Sequence, residues 1–175
     1  MDEVRLMQPD ETMLEEVAAY RADFVAAGSS MDGTGAMRKV ADPAQWLQIC
    51  REMEHIETCP PQYVTATQYV LVRASTGRIL GMLQLRHTLN DALREYGGHI
   101  GYSVRPDERR KGYAAKMLRL ALEKCRERGM DRVLLTCDAD NEGSRRTILR
   151  NGGVYAGLGI DPDDQAEVQK YWITL

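Results

Sequence analysis

A stretch over 98–114 constrains the fold of this chain more than any other. Apolar and polar residues alternate over 99–104, which predicts a β-strand. A basic loop at 109–111 follows, and the small residues Gly112 and Ala114 open a second periodic pattern that is typical of a helix. The stretch therefore predicts a strand, a cationic loop and a helix in direct succession.

This arrangement favours an anionic ligand. Small side chains at Gly112 and Ala114 let a ligand approach the backbone, and the first N–H groups of a helix have no intrahelical partner. The helix dipole and the loop cations add positive charge, so we expect a phosphate or pyrophosphate here. The three glycines of the dinucleotide fingerprint and the Gly-Lys-Ser/Thr of the P-loop are both absent from the loop, which excludes those two classes.

The spacing Arg109-x-x-Gly112-x-Ala114 resembles the (Q/R)-x-x-G-x-(G/A) signature of the GNAT superfamily of acyl-CoA-dependent N-acetyltransferases. The likeness extends over 79–153. It implies acetyl-CoA as co-substrate without a metal. It also implies a mixed α/β fold, whose largely antiparallel central sheet of about seven strands is splayed at the middle and carries helices on both faces.

Composition limits the other classes. The 175 residues, 43% hydrophobic and 28% charged, predict one domain over 1–175. A net charge of -3 argues against nucleic acid or a membrane surface as partner. No apolar run reaches membrane-spanning length and the first residues lack a signal-peptide pattern, so we expect a cytoplasmic protein. No C-x-x-C spacing or metal motif occurs, which predicts reduced thiols, with Cys125 and Cys137 in the core.

Hydrophobic periodicity divides the rest of the chain into alternating elements. The predicted helices span 11–27, 43–58, 114–129 and 144–150, and the predicted strands span 4–6, 65–72, 79–85, 99–104, 133–137, 154–158 and 168–174.

The resemblance also implies which residues hold acetyl-CoA. The amide of Tyr102 would polarise the thioester carbonyl, and Val104 would pair with the pantetheine through its backbone. Asn141 would contact the pantetheine, although a plain helix N-cap explains this residue equally well. The full set of expected cofactor-binding residues is Tyr102, Ser103, Val104, Arg109, Arg110, Lys111, Gly112, Tyr113, Ala114, Asn141 and Ser144.

One family residue is missing. A Tyr that protonates the leaving thiolate usually follows the Asn by seven residues, but this chain has Ile148 there. Three explanations stay open. Solvent or another residue protonates the thiolate, which we favour; a tyrosine at 102, 113 or 155 reaches the sulfur; or the chain is a non-catalytic acyl-CoA-binding or sensing module.

The attacking amine must lose a proton, so a base is needed near the thioester. We consider Glu95 and His99, each of which could instead be a solvated or packed side chain. No cysteine stands in a nucleophile context, which favours direct attack of the amine in a ternary complex. The acceptor is a small-molecule or peptide amine whose identity the sequence does not reveal, and the oligomeric state stays open, a homodimer included.

Overall fold

Two antiparallel sheets form the framework of this computed structural model, which describes residues 2–175. The first sheet has the order β1-β2-β3-β4, and the second has the order β5-β7-β6. Their strands are β1 Val4–Met7, β2 Ala66–Arg73, β3 Ile79–Arg86, β4 Ile100–Val104, β5 Arg132–Asp138, β6 Val154–Ile160 and β7 Glu167–Thr174. The prediction of a mixed α/β fold with largely antiparallel strands and a split in the middle is confirmed.

Four α-helices cover the sheets. They are α1 Leu14–Ala27, α2 Pro43–Met53, α3 Tyr113–Glu127 and α4 Glu142–Arg150. The prediction for α2 was too long at its C-terminus, because Thr58 turns the chain back and donates its hydroxyl to Glu52 O at 2.7 Å. The polar connection over 90–97 contains a π-helical turn at Leu93–Gly97.

The core consists of two hydrophobic clusters on opposite faces of the first sheet. On one face α1 and α2 pack against β2 and β3, with Phe24 and Trp46 among the fully buried side chains. On the other face α3 packs against both sheets, which joins them into one core. Cys125 and Cys137 are buried there as predicted, and burial raises the pKa of both thiols to about 11.

The two sheets meet at a joint between His99, which directly precedes β4, and Leu134 of β5. The backbone N–H of His99 donates to Leu134 O at 2.7 Å, and the N–H of Leu134 donates to His99 Nδ1 at 2.9 Å. Gly98 allows this approach, since a Cβ there would lie 2.7 Å from Leu134 O. Within residues 2–175 no ladder joins β4 to β5, and beyond the joint 100–104 and 136–138 line a common cavity.

Nδ1 of His99 is therefore a structural hydrogen-bond acceptor and must stay unprotonated. Burial, with the nearby charge of Arg86 as a second cause, lowers its pKa to about 4. The unfolded chain has a His99 pKa near 6.5, so between about pH 4 and 6.5 it binds more protons than the folded chain does. The stability from this residue is thus complete above about pH 6.5 and is lost as the pH falls toward 4.

We predict that His99→Asn removes this pH dependence, because an amide oxygen can accept from Leu134 N–H without titrating in this range. Between pH 7 and 5 the wild type should lose roughly 2 kcal/mol more unfolding free energy than the variant, measured by urea denaturation. His99→Leu, which leaves the amide of Leu134 unpaired, should be destabilised at both pH values. Equal slopes for wild type and His99→Asn would contradict this role.

Candidate active site

A cavity of about 940 Å³ opens where β4 and β5 separate. Its walls come from β4, the end of β5, the loop before α3, the start of α4 and the connection between α1 and α2. The cavity is therefore a consequence of the split between the two sheets.

The register of β4 directs free backbone donors into this gap. The N–H of Arg105 donates to Leu80 O at 2.8 Å, and bonding partners alternate along an antiparallel strand. Ser103 therefore faces β3, whereas the N–H groups of Tyr102 and Val104 point toward β5. Two adjacent donors are thus available in the gap, as a ligand that substitutes for a missing strand requires.

The loop before α3 has the geometry of an anion site. Arg110 adopts a φ of 61°, an uncommon conformation for a non-glycine residue, and Gly112 follows with a φ of 84°. The helix then begins at Tyr113, and Gly112, Ala114 and Ala115 line the cavity. The start of α3 accordingly borders the cavity mouth.

Arg109 and Tyr113 serve mainly to fix this loop. Arg109 donates from Nε to Val104 O at 3.0 Å and from Nη2 to Ser29 Oγ at 2.7 Å, and its guanidinium lies over the Phe24 ring. The Tyr113 hydroxyl turns away from the cavity toward Asp2. These two side chains position the backbone donors.

A buried carboxylate anchors the loop from below. Glu108 is 2% exposed and pairs with Arg73 at 3.1 Å, Arg78 at 2.7 Å and Lys111 at 2.9 Å. Burial alone would raise its pKa, but the bonds from Lys111 and Arg73 outweigh burial and lower it. Lys111 was expected to bind the co-substrate, but it pairs with Glu108 and does not line the cavity.

α4 supplies cations that the sequence reading missed. Arg146 and Arg150 stand one turn apart and both line the cavity, which gives its mouth four arginines together with Arg109 and Arg110. Their i,i+4 spacing on a short helix after Asn141 could have predicted from sequence that both lie on one face of that helix. The mouth is therefore more basic than the loop alone indicates.

Asn141 and Ser144 lie where the sequence placed them. Asn141 caps α4 by accepting from Ser144 N–H at 3.1 Å, and both residues line the cavity. The Tyr102 hydroxyl lies 2.8 Å from Ser144 Oγ, and burial raises the pKa of this tyrosine to about 12. A pair of neutral hydroxyl donors thus stands beside the gap.

Neither Ile148 nor Tyr155 lines the cavity, and Tyr113 lines it without directing its hydroxyl there. Ile148 is fully buried in the core, and Tyr155 lies 55% exposed on β6 against Tyr171. Of the tyrosines considered from sequence at 102, 113 and 155, only Tyr102 keeps its hydroxyl beside the gap.

The two base candidates also lie outside the cavity lining. The Glu95 carboxylate accepts from Ile160 N–H at 3.3 Å and approaches Lys170 at 3.7 Å, because the π-helical turn packs against the second sheet. The imidazole of His99 is occupied in the joint with Leu134. The geometry thus disfavours both as bases.

Besides Glu108, three carboxylates that were not singled out from the sequence line the cavity, namely Asp32, Asp138 and Asp161. Burial raises the pKa of Asp138, and the charge of Asp32 is the next cause. The cavity therefore has arginines at its mouth and carboxylates farther along its wall. This separation suits a co-substrate with phosphates and a second substrate that carries an amine.

Comparison with known proteins identifies the family. The sequence model described as the acetyltransferase (GNAT) family matches residues 40–152, which is more than half of the chain. The chain belongs to the GNAT acetyltransferase family. It is therefore an acyltransferase, and enzymes of this family use acetyl-CoA. No curated protein sequence matches it.

Solved structures of GNAT enzymes share the whole fold. The ribosomal-protein-S5-alanine acetyltransferase of Vibrio fischeri has 14% identity and a TM-score of 0.75, with 99% of this chain and 94% of that chain covered. The microcin C7 self immunity acetyltransferase MccE, solved with acetyl-CoA and AMP, has 18% identity and a TM-score of 0.72, with coverage of 100% and 94%. RimL, a ribosomal L7/L12 α-N-protein acetyltransferase solved with coenzyme A, has 16% identity and a TM-score of 0.70, with coverage of 98% and 94%.

Residues 2–175 show neither a metal-binding cluster nor a membrane-spanning helix. No group of three or more metal-ligating side chains comes together in that range. None of its helices has both the length and the apolar character needed to cross a membrane.

We predict that the arginines at the mouth contribute to CoA binding. Arg110→Gln and Arg150→Gln should each weaken binding by roughly five- to tenfold in calorimetry, since each removes about one charge-assisted hydrogen bond. The loss should shrink at high salt. Lys111→Gln is the matched control and should change the affinity by less than about twofold, because its ammonium group serves Glu108. A larger effect of Lys111→Gln than of Arg110→Gln would contradict the assignment.

Proposed function

We propose that this GNAT enzyme transfers the acetyl group of acetyl-CoA to a primary amine by direct attack in a ternary complex. The observation that carries the proposal is the pair of gap-facing amides of Tyr102 and Val104 beside a basic mouth. Acetyl-CoA supplies an activated thioester. The cavity fits such a co-substrate, because backbone donors face its gap and arginines line its mouth.

The β4 amides would orient and polarise the thioester. The N–H of Tyr102 is proposed to donate to the carbonyl oxygen, which gains negative charge as the amine attacks. The N–H of Val104 would hold the pantetheine, and the first amides of α3 would take the pyrophosphate. Since these donors are fixed by the sheet and the helix, they need no rearrangement during the reaction.

Asp138 is our candidate for the proton acceptor. It lines the cavity on the carboxylate side, and its raised pKa brings it closer to the pH at which the enzyme would work. As the new C–N bond forms, the nitrogen becomes acidic, and Asp138 would take up its proton. This assignment replaces Glu95, which lies against the second sheet.

The leaving thiolate would be stabilised by hydroxyl groups. Tyr102 and Ser144 stand beside the gap, and the pKa of Tyr102 near 12 keeps its hydroxyl protonated as a donor. Solvent would complete the protonation, since a thiolate is only a modest base. Cys137 also lines the cavity, but its raised pKa makes it a poor nucleophile, which supports direct attack over an acetyl-cysteine intermediate.

The neighbouring structures share the fold of this chain and do not choose among amine acceptors. Two are named for acetylation of ribosomal proteins and one for immunity to microcin C7. Their identity to this chain, 14–18%, carries the fold alone.

A thiol-release assay tests the proposal. With acetyl-CoA and a panel of amino acids, peptides, polyamines and amino sugars, at least one amine should release CoA. The rate should rise with pH as the amine loses its proton. A sensing module would instead bind acetyl-CoA in calorimetry and release no CoA with any amine.

We further predict that Asp138→Asn lowers kcat/KM by about 10²–10⁴-fold, as expected for a lost base. The wild-type rate should increase as the pH rises through the raised pKa of Asp138, and this acid-side limb should be absent in the variant. Glu95→Gln is the matched control and should change kcat/KM by less than about threefold, because it loses only an exposed ion pair. A large loss in Glu95→Gln with none in Asp138→Asn would reverse the two assignments.

A further inference from the structure

Arg86 is a cation that the proposed mechanism does not use. It extends from the end of β3 and lines the cavity on the same side as Asp32. Among residues 2–175 it takes part in no ion pair, and partial burial lowers the pKa of its guanidinium. A charge in this position is costly unless a partner arrives from elsewhere.

The guanidinium is held rigidly with one nitrogen unused. Nε donates to Gln84 Oε1 at 3.1 Å, and Nη1 donates to the carbonyls of Gly97 and Gly98 at 3.0 and 3.3 Å. No hydrogen bond within the described chain uses Nη2. This nitrogen lies over Gly101, where a Cβ would be 3.3 Å away. The unused donor is thus fixed beside β4.

The connection between α1 and α2 closes the same region. Gln68 donates to Gly33 O at 2.7 Å, and Gly33 lies directly against the backbone of Gly101, with no space for a side chain. Asp32, the preceding residue, lies within electrostatic range of both Arg86 and Asp138. A cation and two carboxylates therefore lie within electrostatic range of one another, beside the contact between Gly33 and Gly101.

We propose that Arg86 binds a carboxylate of the acetyl acceptor, and that the acceptor is a small amino acid with its amine and carboxylate close together. This proposal rests on the acetyl transfer proposed above. Gly101 directly precedes Tyr102, and residues in a strand are about 3.4 Å apart, so the anion site lies a few ångströms from the expected thioester carbonyl. The carboxylates of Asp32 and Asp138 would attract the ammonium group of the same molecule.

A free carboxylate fits better than a peptide carbonyl. The N-terminus of a peptide would place a neutral oxygen at Nη2, which leaves the charge of Arg86 without compensation. A carboxylate neutralises it and accepts a charge-assisted hydrogen bond. Acceptors with the free acid should therefore react better than their amides.

The test uses the common L-amino acids, each compared with its carboxamide and with the amine that lacks the carboxyl group. With wild-type enzyme, at least one free acid should exceed its carboxamide in kcat/KM by roughly 10- to 100-fold. Arg86→Gln should reduce this ratio to below about threefold, and Arg86→Lys should retain part of it. CoA affinity, measured by calorimetry, verifies that the variants keep the co-substrate site.

The matched control is Arg110→Gln, another arginine-to-glutamine change in the same cavity. It should raise the KM for acetyl-CoA and leave the ratio of acid to carboxamide as in wild type. Turnover of amides or peptides at least as fast as of free acids would overturn the role of Arg86 while the acetyltransferase function stands. Equal losses for acids and amides in Arg86→Gln would show a purely structural residue. Absence of turnover with every amine would instead refute the proposed function itself.

Discussion

The rest of the structure depends on the pair of hydrogen bonds that joins His99 to Leu134. Because no ladder connects the two sheets over the described residues, 2–175, this joint sets how far apart β4 and β5 lie along the cavity. One of its acceptors is an imidazole nitrogen rather than a carbonyl, so the joint depends on the protonation state of a side chain. The split that creates the cavity is thereby anchored at one end by a buried, neutral histidine.

Charge is distributed along the cavity in a way that follows from the fold. The loop before α3 and the exposed face of α4 bring arginines to one end, and the connection between α1 and α2 and the end of β5 bring carboxylates to the other. Buried pairs, such as Glu108 with Arg73, hold the loop without using the cations that line the mouth. The two substrates would thus meet from regions of opposite potential.

Local sequence patterns predicted the features that depend on interactions between residues close together in the chain. Alternation over 99–104, the basic loop before Gly112 and the Asn141 cap depend on neighbours in sequence, and each has the predicted form. The directions of the Glu95 carboxylate and of the His99 ring depend on partners far along the chain, namely Ile160 and Leu134. Arg86 and Asp138 belong to the same group. Their proposed roles depend on the proximity of segments that are distant in sequence, which no local pattern reveals.

Asn141, the N-cap of α4, has one polar atom for helix stability and another for ligand binding. The two explanations of Asn141 are compatible, because an amide has two polar ends: Oδ1 accepts from Ser144 N–H, and no hydrogen bond among residues 2–175 uses Nδ2, so this donor would remain for a ligand in the cavity that Asn141 lines. An aspartate would keep the cap and add favourable charge at the helix start, but would present no donor to a ligand. Such a change would therefore remove the proposed contact with the co-substrate without any loss of helix stability.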